Sequence, residues 1–108
     1  MPRESLQTLT EPMYYVLLAL VRPLCGIEIM ERVDELSHGR LAIGPGTLYS
    51  MLKKFEENGL IAPAMGPDSP PKRKTYAITP RGVGFLKQEY ERLKRQAEDG
   101  KTIMEELV

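Results

Sequence analysis

The sequence predicts a mainly α-helical fold with one small β-hairpin, on three observations. Three stretches between Thr10 and Asn58 repeat apolar residues at helical spacing, each with its own start and stop signals. Two short extended candidates flank the turn-forming, basic run "GPDSPPKRK". From Thr79 onward, apolar residues keep alternating steps of three and four to the end of the sequence, the rhythm of a helix that packs along another helix.

The first helix starts at Thr10, followed by Glu11 and Pro12, and carries Met13, Val16, Leu17, Leu20 and Val21 as a stripe until Arg22 and Pro23 stop it. Its other side is apolar too, with Tyr14, Tyr15, Leu18 and Ala19. A helix greasy all round must be covered from two directions, and a second subunit is one candidate cover. Gly26 introduces the second helix, in which Ile29, Met30, Val33 and Leu36 form the buried stripe while Glu28, Glu31, Arg32 and Asp34 face water. Ser37, His38 and Gly39 end it, and "RLAI" follows as a brief extended link.

The third helix opens on Gly44, Pro45 and Gly46 and stops at Asn58 and Gly59. Leu48, Met51, Leu52 and Phe55 make its core face, leaving Thr47, Tyr49, Ser50, Lys53 and Lys54 outside. "LIAPAM" is a strand candidate interrupted by Pro63, "GPDSPP" is a turn, and "KRKTYAIT" is the returning strand. Alternation puts Tyr76 and Ile78 on one row, extended by Lys74, with Arg73, Thr75 and Ala77 on the other. Thr79 caps the last helix and Pro80 sits in its first turn. Its seam is Val83, Leu86, Tyr90, Leu93, Ala97, Gly100, Met104 and Leu107. If continuous, the stretch from Val83 to Leu107 runs about 36 Å. A break at Asp99 and Gly100 with a short terminal helix beyond is the alternative.

One hundred and eight residues suit one compact unit with a single core. Within it, residues 1–79 are expected to read as a head and residues 80–108 as a dimerisation helix. No run reaches the ~18 apolar residues of a membrane span, and the start lacks the look of a secretion signal, so a cytoplasmic protein without a membrane partner is expected. Cys25 and His38 are the only residues of their kinds, which rules out a disulfide framework or a Cys/His metal cluster within one chain. With no Ser/His/Asp set, no phosphate-loop lysine and no evident carboxylate pair, neither an enzyme nor a cofactor is expected.

Lysine plus arginine balances aspartate plus glutamate over the whole chain, yet the charges are unevenly placed. Residues 1–39 are net −3, residues 40–81 net +4 and residues 82–108 net −1. An anionic partner should meet the middle third.

Three helices, a two-stranded hairpin and a long closing helix follow the order of a winged helix-turn-helix domain, in which the third helix enters the DNA major groove and the hairpin is a wing on the adjacent backbone. Gly44 and Gly46 leave the helix entrance bare, so backbone N–H groups and the positive end of the helix dipole can approach a phosphate. Thr47, Tyr49 and Ser50 supply hydroxyls and Lys53 and Lys54 supply charge on helix three, with Lys72, Arg73 and Lys74 on the wing. Such groups suit phosphate oxygens, whereas the bidentate arginine or amide that usually reads a base is absent from this helix, so sequence reading is expected to be modest or to depend on DNA shape. Each feature also has a plainer reading: a tight turn, a solvated helix face, a charged edge that resists aggregation. Their combination favours double-stranded DNA as partner. The alternative is a winged-helix protein-interaction module that meets an acidic protein without binding DNA.

The blocks "LTEPMYYVLLAL", "GIEIMERV", "GPGTLYSMLKKFEENGLI" and "KRKTYAITPRGVGFL" together resemble the PadR family of bacterial transcriptional regulators, over about Leu9 to Leu93. "GPGTLY" followed by "KRKTYAIT" is quite specific to it. The resemblance implies a homodimeric winged-helix repressor with a recognition helix at about 45–58 and a basic wing at about 66–75. By it, Thr47, Tyr49, Ser50 and Lys53 fall in the recognition helix and Lys72, Arg73 and Lys74 on the wing; Gly46 and Lys54 join them as candidate DNA contacts from the bare entrance and the charge of the same helix. The last helix would pack against the first helix of the other subunit, placing Tyr14, Leu18, Val83, Leu86, Tyr90, Leu93, Ala97 and Met104 at the dimer interface. A two-fold dimer calls for a pseudo-palindromic operator.

The single long C-terminal helix resembles the family's short subgroup. Some short relatives hold flat drugs between tryptophans at the dimer centre, and this chain has none. Tyr14, Tyr15 and Tyr90 are at positions to line an interface pocket or simply to be core, so a small-molecule effector is left open.

Overall fold

A computed structural model of the protein describes residues 6–64 and 74–108. The chain runs α1 (Glu11–Ala19), β1 (Leu24–Cys25), α2 (Gly26–Leu36), α3 (Pro45–Glu57), β2 (Ile61–Pro63), β3 (Thr75–Ile78) and α4 (Pro80–Glu106). This is the winged helix-turn-helix order with one long closing helix.

The helix boundaries follow from local chemistry. Thr10 caps α1, its hydroxyl accepting the Met13 N–H, and Pro12 lies in the first turn. α2 begins after Cys25, whose own N–H donates to the Glu28 carboxylate at 2.9 Å. It ends where His38 and Gly39 take positive φ, 56° and 77°. Gly44 is the N-cap of α3 and Pro45 its first residue. Gly59, at φ 73°, turns the chain out of α3. Thr79 caps α4 by accepting the Gly82 N–H at 3.0 Å while its hydroxyl donates to the Gly59 carbonyl at 2.7 Å.

One core holds these elements together. Val16, Leu17 and Leu20 from the first helical segment, Ile29 and Val33 from α2, and Leu48, Leu52 and Phe55 from α3 are fully enclosed. Each such side chain contributes roughly 1.5–3 kcal/mol through burial. Leu60 just before β2, Ile61 of β2, Tyr76 of β3 and Leu86 of α4 join it, as do Leu9, Met13 and Ala19. Met30, Leu36 and Met51, expected in buried stripes, are half-buried at its margin.

Two expectations change. The hairpin is part of a three-stranded antiparallel sheet in the order β1-β3-β2, with Leu24 opposite Tyr76 and Ile61 opposite Ile78. A two-residue strand is too short to show any periodicity, so β1 is formed by its partner. β3 offers it a free edge, and the Ile78 N–H donates to the Leu20 carbonyl to bring the end of the first helix alongside. Flanked on both sides, β3 buries Thr75 as well as Tyr76, although alternation puts them on opposite rows.

The second correction is Val21, which was expected in the buried stripe of the first helix and is 58% exposed. α1 ends at Ala19 with Leu20 as its C-cap, so Val21 no longer follows the helical phase.

α4 runs unbroken through Gly100. Its first turns belong to the core through Gly82, Leu86 and Glu89. Past Glu89, no residue of α4 is buried. At 27 residues it is about 40 Å long, and it stretches a protein whose extents are 56 × 37 × 24 Å.

Candidate nucleic-acid interface

The predicted reading face is on the outside of α3. Leu48, Leu52 and Phe55 anchor the inner side of the helix. Gly46, Thr47, Tyr49, Ser50, Lys53 and Lys54 are all exposed, and 55% of Tyr49 is open to solvent. The helix entrance is unobstructed: a Cβ placed on Gly44 or Gly46 would meet nothing within 4 Å. Packing therefore does not require either glycine, and the space in front of the first turn is free for an incoming group. Lys53 and Lys54 pair with no carboxylate among the described residues, so their charge is available outward.

Lys74 is exposed immediately before β3, which places it on a separate element from the α3 cluster. The other two predicted wing residues, Lys72 and Arg73, lie outside the described residues. Ala64 N–H donates to the Thr75 carbonyl at 2.7 Å, closing the described part of the wing.

The predicted dimer residues divide into two groups. Leu86 belongs to the core of its own protomer, and Val83 is half-buried beside it. Tyr90, Leu93, Ala97 and Met104 form an exposed apolar row along α4, joined by Ile103 and Leu107; Tyr90 is 53% and Met104 58% open. Tyr14 and Leu18, from the second side of α1, are half-covered. Tyr14 crosses Tyr15 edge to face at 5.9 Å between ring centres. Burial raises the Tyr14 phenol above its ordinary pKa, and Tyr90, Tyr15 and Glu89 add to the effect.

Two features supporting this arrangement escape sequence reading. Glu89 is 3% exposed, and its carboxylate accepts the Leu9 N–H at 2.6 Å and two Arg92 N–H bonds at 2.8 and 3.0 Å. The Arg92 bonds hold its pKa low, against the opposing effect of burial, with the Leu9 bond assisting. Arg40, just ahead of the α3 entrance, donates to the Tyr15 hydroxyl at 2.9 Å and lies 3.5 Å from the Glu11 carboxylate. The signal for Glu89 was faint: an acid next to the seam, with an arginine three residues on.

A cavity of about 320 Å³ opens at the root of α4, lined by Leu6, Asn58, Leu60, Arg81, Phe85 and Gln88 among others. None of Tyr14, Tyr15 and Tyr90 lines it. Among the described residues, no group of three or more His, Cys, Asp or Glu is placed to hold a metal ion, and no helix is long and apolar enough to cross a membrane.

The fold and this face can be set beside known proteins. The chain is similar to a PadR-like transcription factor from Bacteroides fragilis, at 27% identity and a TM-score of 0.68, over 85% of this chain and 88% of that one. A transcriptional regulator from Clostridium thermocellum matches at 27% identity and a TM-score of 0.67, over 85% and 90% of the two chains. In fold, it is similar to a PadR-like transcriptional regulator from Bacillus cereus, with a TM-score of 0.72 at 19% identity over 86% and 90%. No curated protein matches the chain. The model of the transcriptional regulator PadR-like family matches residues 16–88, from the first helix through the wing and into the core turns of α4, and the chain belongs to that family.

Proposed function

We propose that the protein is a homodimeric repressor that binds a pseudo-palindromic operator, with α3 in the major groove and the basic wing on the neighbouring backbone. The observation that carries this reading is the division of α3, whose inner side is anchored by Leu48, Leu52 and Phe55 while every predicted contact residue on it is open to solvent. Thr47, Tyr49 and Ser50 hydroxyls with Lys53 and Lys54 ammonium groups meet phosphates and groove edges. Lys72, Arg73 and Lys74 add backbone contacts from the wing.

Residues 1–79 form the reading head, and α4 joins two heads. The exposed row of Tyr90, Leu93, Ala97 and Met104 is covered by the other protomer, against Tyr14 and Leu18 of its α1. Apolar side chains at this spacing, left open in one protomer, gain burial only from another surface. A two-fold pair of heads sets half-sites about one helical turn, roughly 34 Å, apart. Occupancy of such a site blocks a promoter, which is the whole mechanism the reading requires.

The test is a titration of labelled duplexes against salt, beginning with the DNA upstream of the protein's own coding sequence. Binding through Z phosphates gives a log-log slope near −0.9Z, and replacing Lys72, Arg73 and Lys74 together by alanine flattens it. No binding to any duplex at low salt would refute the reading and favour a partner protein.

A further inference from the structure

Gly26 is the first residue of α2 and is buried. Its φ is not positive, unlike those of Gly39 and Gly59, so the backbone does not call for glycine and helix propensity favours alanine there. The obstacle is a side chain from the next helix. A Cβ built on Gly26 would lie 2.9 Å from the Tyr49 hydroxyl oxygen, 3.5 Å from Tyr49 Cζ and 3.8 Å from Leu48 Cδ2. Of these only the hydroxyl is too close, since 3.5 Å and 3.8 Å are ordinary van der Waals distances. The phenol therefore stands on the open face of α3 with its tip resting over the start of α2.

We propose that Gly26 is a positioning residue for Tyr49: the notch it leaves in α2 seats the tip of the phenol across the α2–α3 junction and fixes the direction in which ring and hydroxyl are offered to a duplex. This rests on the reading that the outer face of α3 meets DNA. An aromatic ring has two side-chain torsions, so a stop at its far end beside an anchored Cα leaves little freedom. Such preorganisation removes an ordering cost that binding otherwise carries. A side chain at position 26 would push only the end of the ring, leaving the fold intact and the phenol misdirected.

Four proteins test this: wild type, Gly26→Ala, Tyr49→Phe and the double variant. Each is titrated by fluorescence anisotropy with a duplex selected by the wild type from a random library of roughly 30 base pairs, long enough for two half-sites one turn apart. Thermal unfolding is recorded for all four. Gly26→Ala is expected to weaken binding about tenfold without lowering the unfolding temperature, and Tyr49→Phe roughly threefold. In the Tyr49→Phe background, Gly26→Ala should cost nothing further, because the colliding oxygen is gone.

Two results overturn the proposal while the wild type binds: Gly26→Ala binding as tightly as wild type, or losing the same factor in both backgrounds, which would make the glycine a packing residue independent of the phenol. Failure of the underlying reading is distinct. There, selection recovers no duplex, and the proposed role falls with it whatever coupling the unfolding data show.

Discussion

Glu89→Gln isolates the charge of the buried carboxylate that ties the segment before α1 to α4. Glutamine keeps the size of the side chain and still accepts the Leu9 N–H. It lacks the charge that draws Arg92 Nε and Nη2 to 2.8 and 3.0 Å, and its amide N–H₂ opposes one of them. Hydrogen bonds to a charged group are each worth about 1.5–3 kcal/mol. Arg92 is 30% exposed, so the released guanidinium turns to water and part of that is recovered. The net loss is then about 2 kcal/mol at neutral pH, or about 10 °C in Tm for a chain of this size.

The pH dependence has a definite sign. The folded pKa of Glu89 is held below the ordinary 4.5, so its stabilisation is present above that value and is lost as pH falls through the depressed folded value. The two proteins should therefore converge in acid. Urea unfolding at one fixed protomer concentration, at neutral pH and again well below pH 4.5, provides the comparison. A gap under about 0.5 kcal/mol at neutral pH, or an undiminished gap in acid, would refute the account of this carboxylate.

Gly82→Ala should destabilise by about 3 kcal/mol or more, read by thermal unfolding, because its Cβ would meet the Leu60 carbonyl oxygen and lie 2.6 Å from Ile78 Cγ1, and backbone cannot swing aside. Lys53→Ala and Lys54→Ala should each reduce the magnitude of the log-log salt slope for duplex binding by about one, with base preference unchanged. Leu93→Asp should give a monomer by sedimentation velocity with weakened operator binding, since burying a charge in the α4 row is costly. A dimer surviving that change would place the interface elsewhere.

The elements that were legible in the sequence are those that announce themselves locally. Thr10, Thr79, Pro45 and Pro80 mark helix starts by the hydrogen-bond needs of a first turn, and Leu48, Leu52 and Phe55 repeat at the spacing of a buried face. What was missed is held by partners distant in sequence. β1 exists because β3 has an edge to fill; Glu89 is buried because Leu9, eighty residues away, needs an acceptor. A side chain at Gly26 would meet the end of Tyr49, and one at Gly82 would meet the backbone of Leu60. The same holds for Val21, where helical spacing continues past the point at which the helix itself stops. On the predicted reading face the exposure of Tyr49 followed from its phase on α3, while its closeness to α2 did not.

In the proposed dimer α4 has two tasks, and separating them decides which experiments on it are informative. Gly82, Leu86 and Glu89 face the protomer's own core, while Tyr90, Leu93, Ala97 and Met104 project from an adjacent stripe of the same helix. A change at Leu86 would lower folding stability and assembly together, so a monomer obtained that way says nothing about the interface. Leu93 is 38% exposed and outside the core cluster, so an aspartate there can turn to water within an isolated protomer and becomes far more costly when a second surface covers it. The informative signature is thus a pair of results for Leu93→Asp: little change in unfolding once protomers are dilute enough to be separate, and a large fall in assembly. If unfolding of the dilute protomer falls as far as assembly does, the row belongs to the protomer's own packing and α4 has only one task.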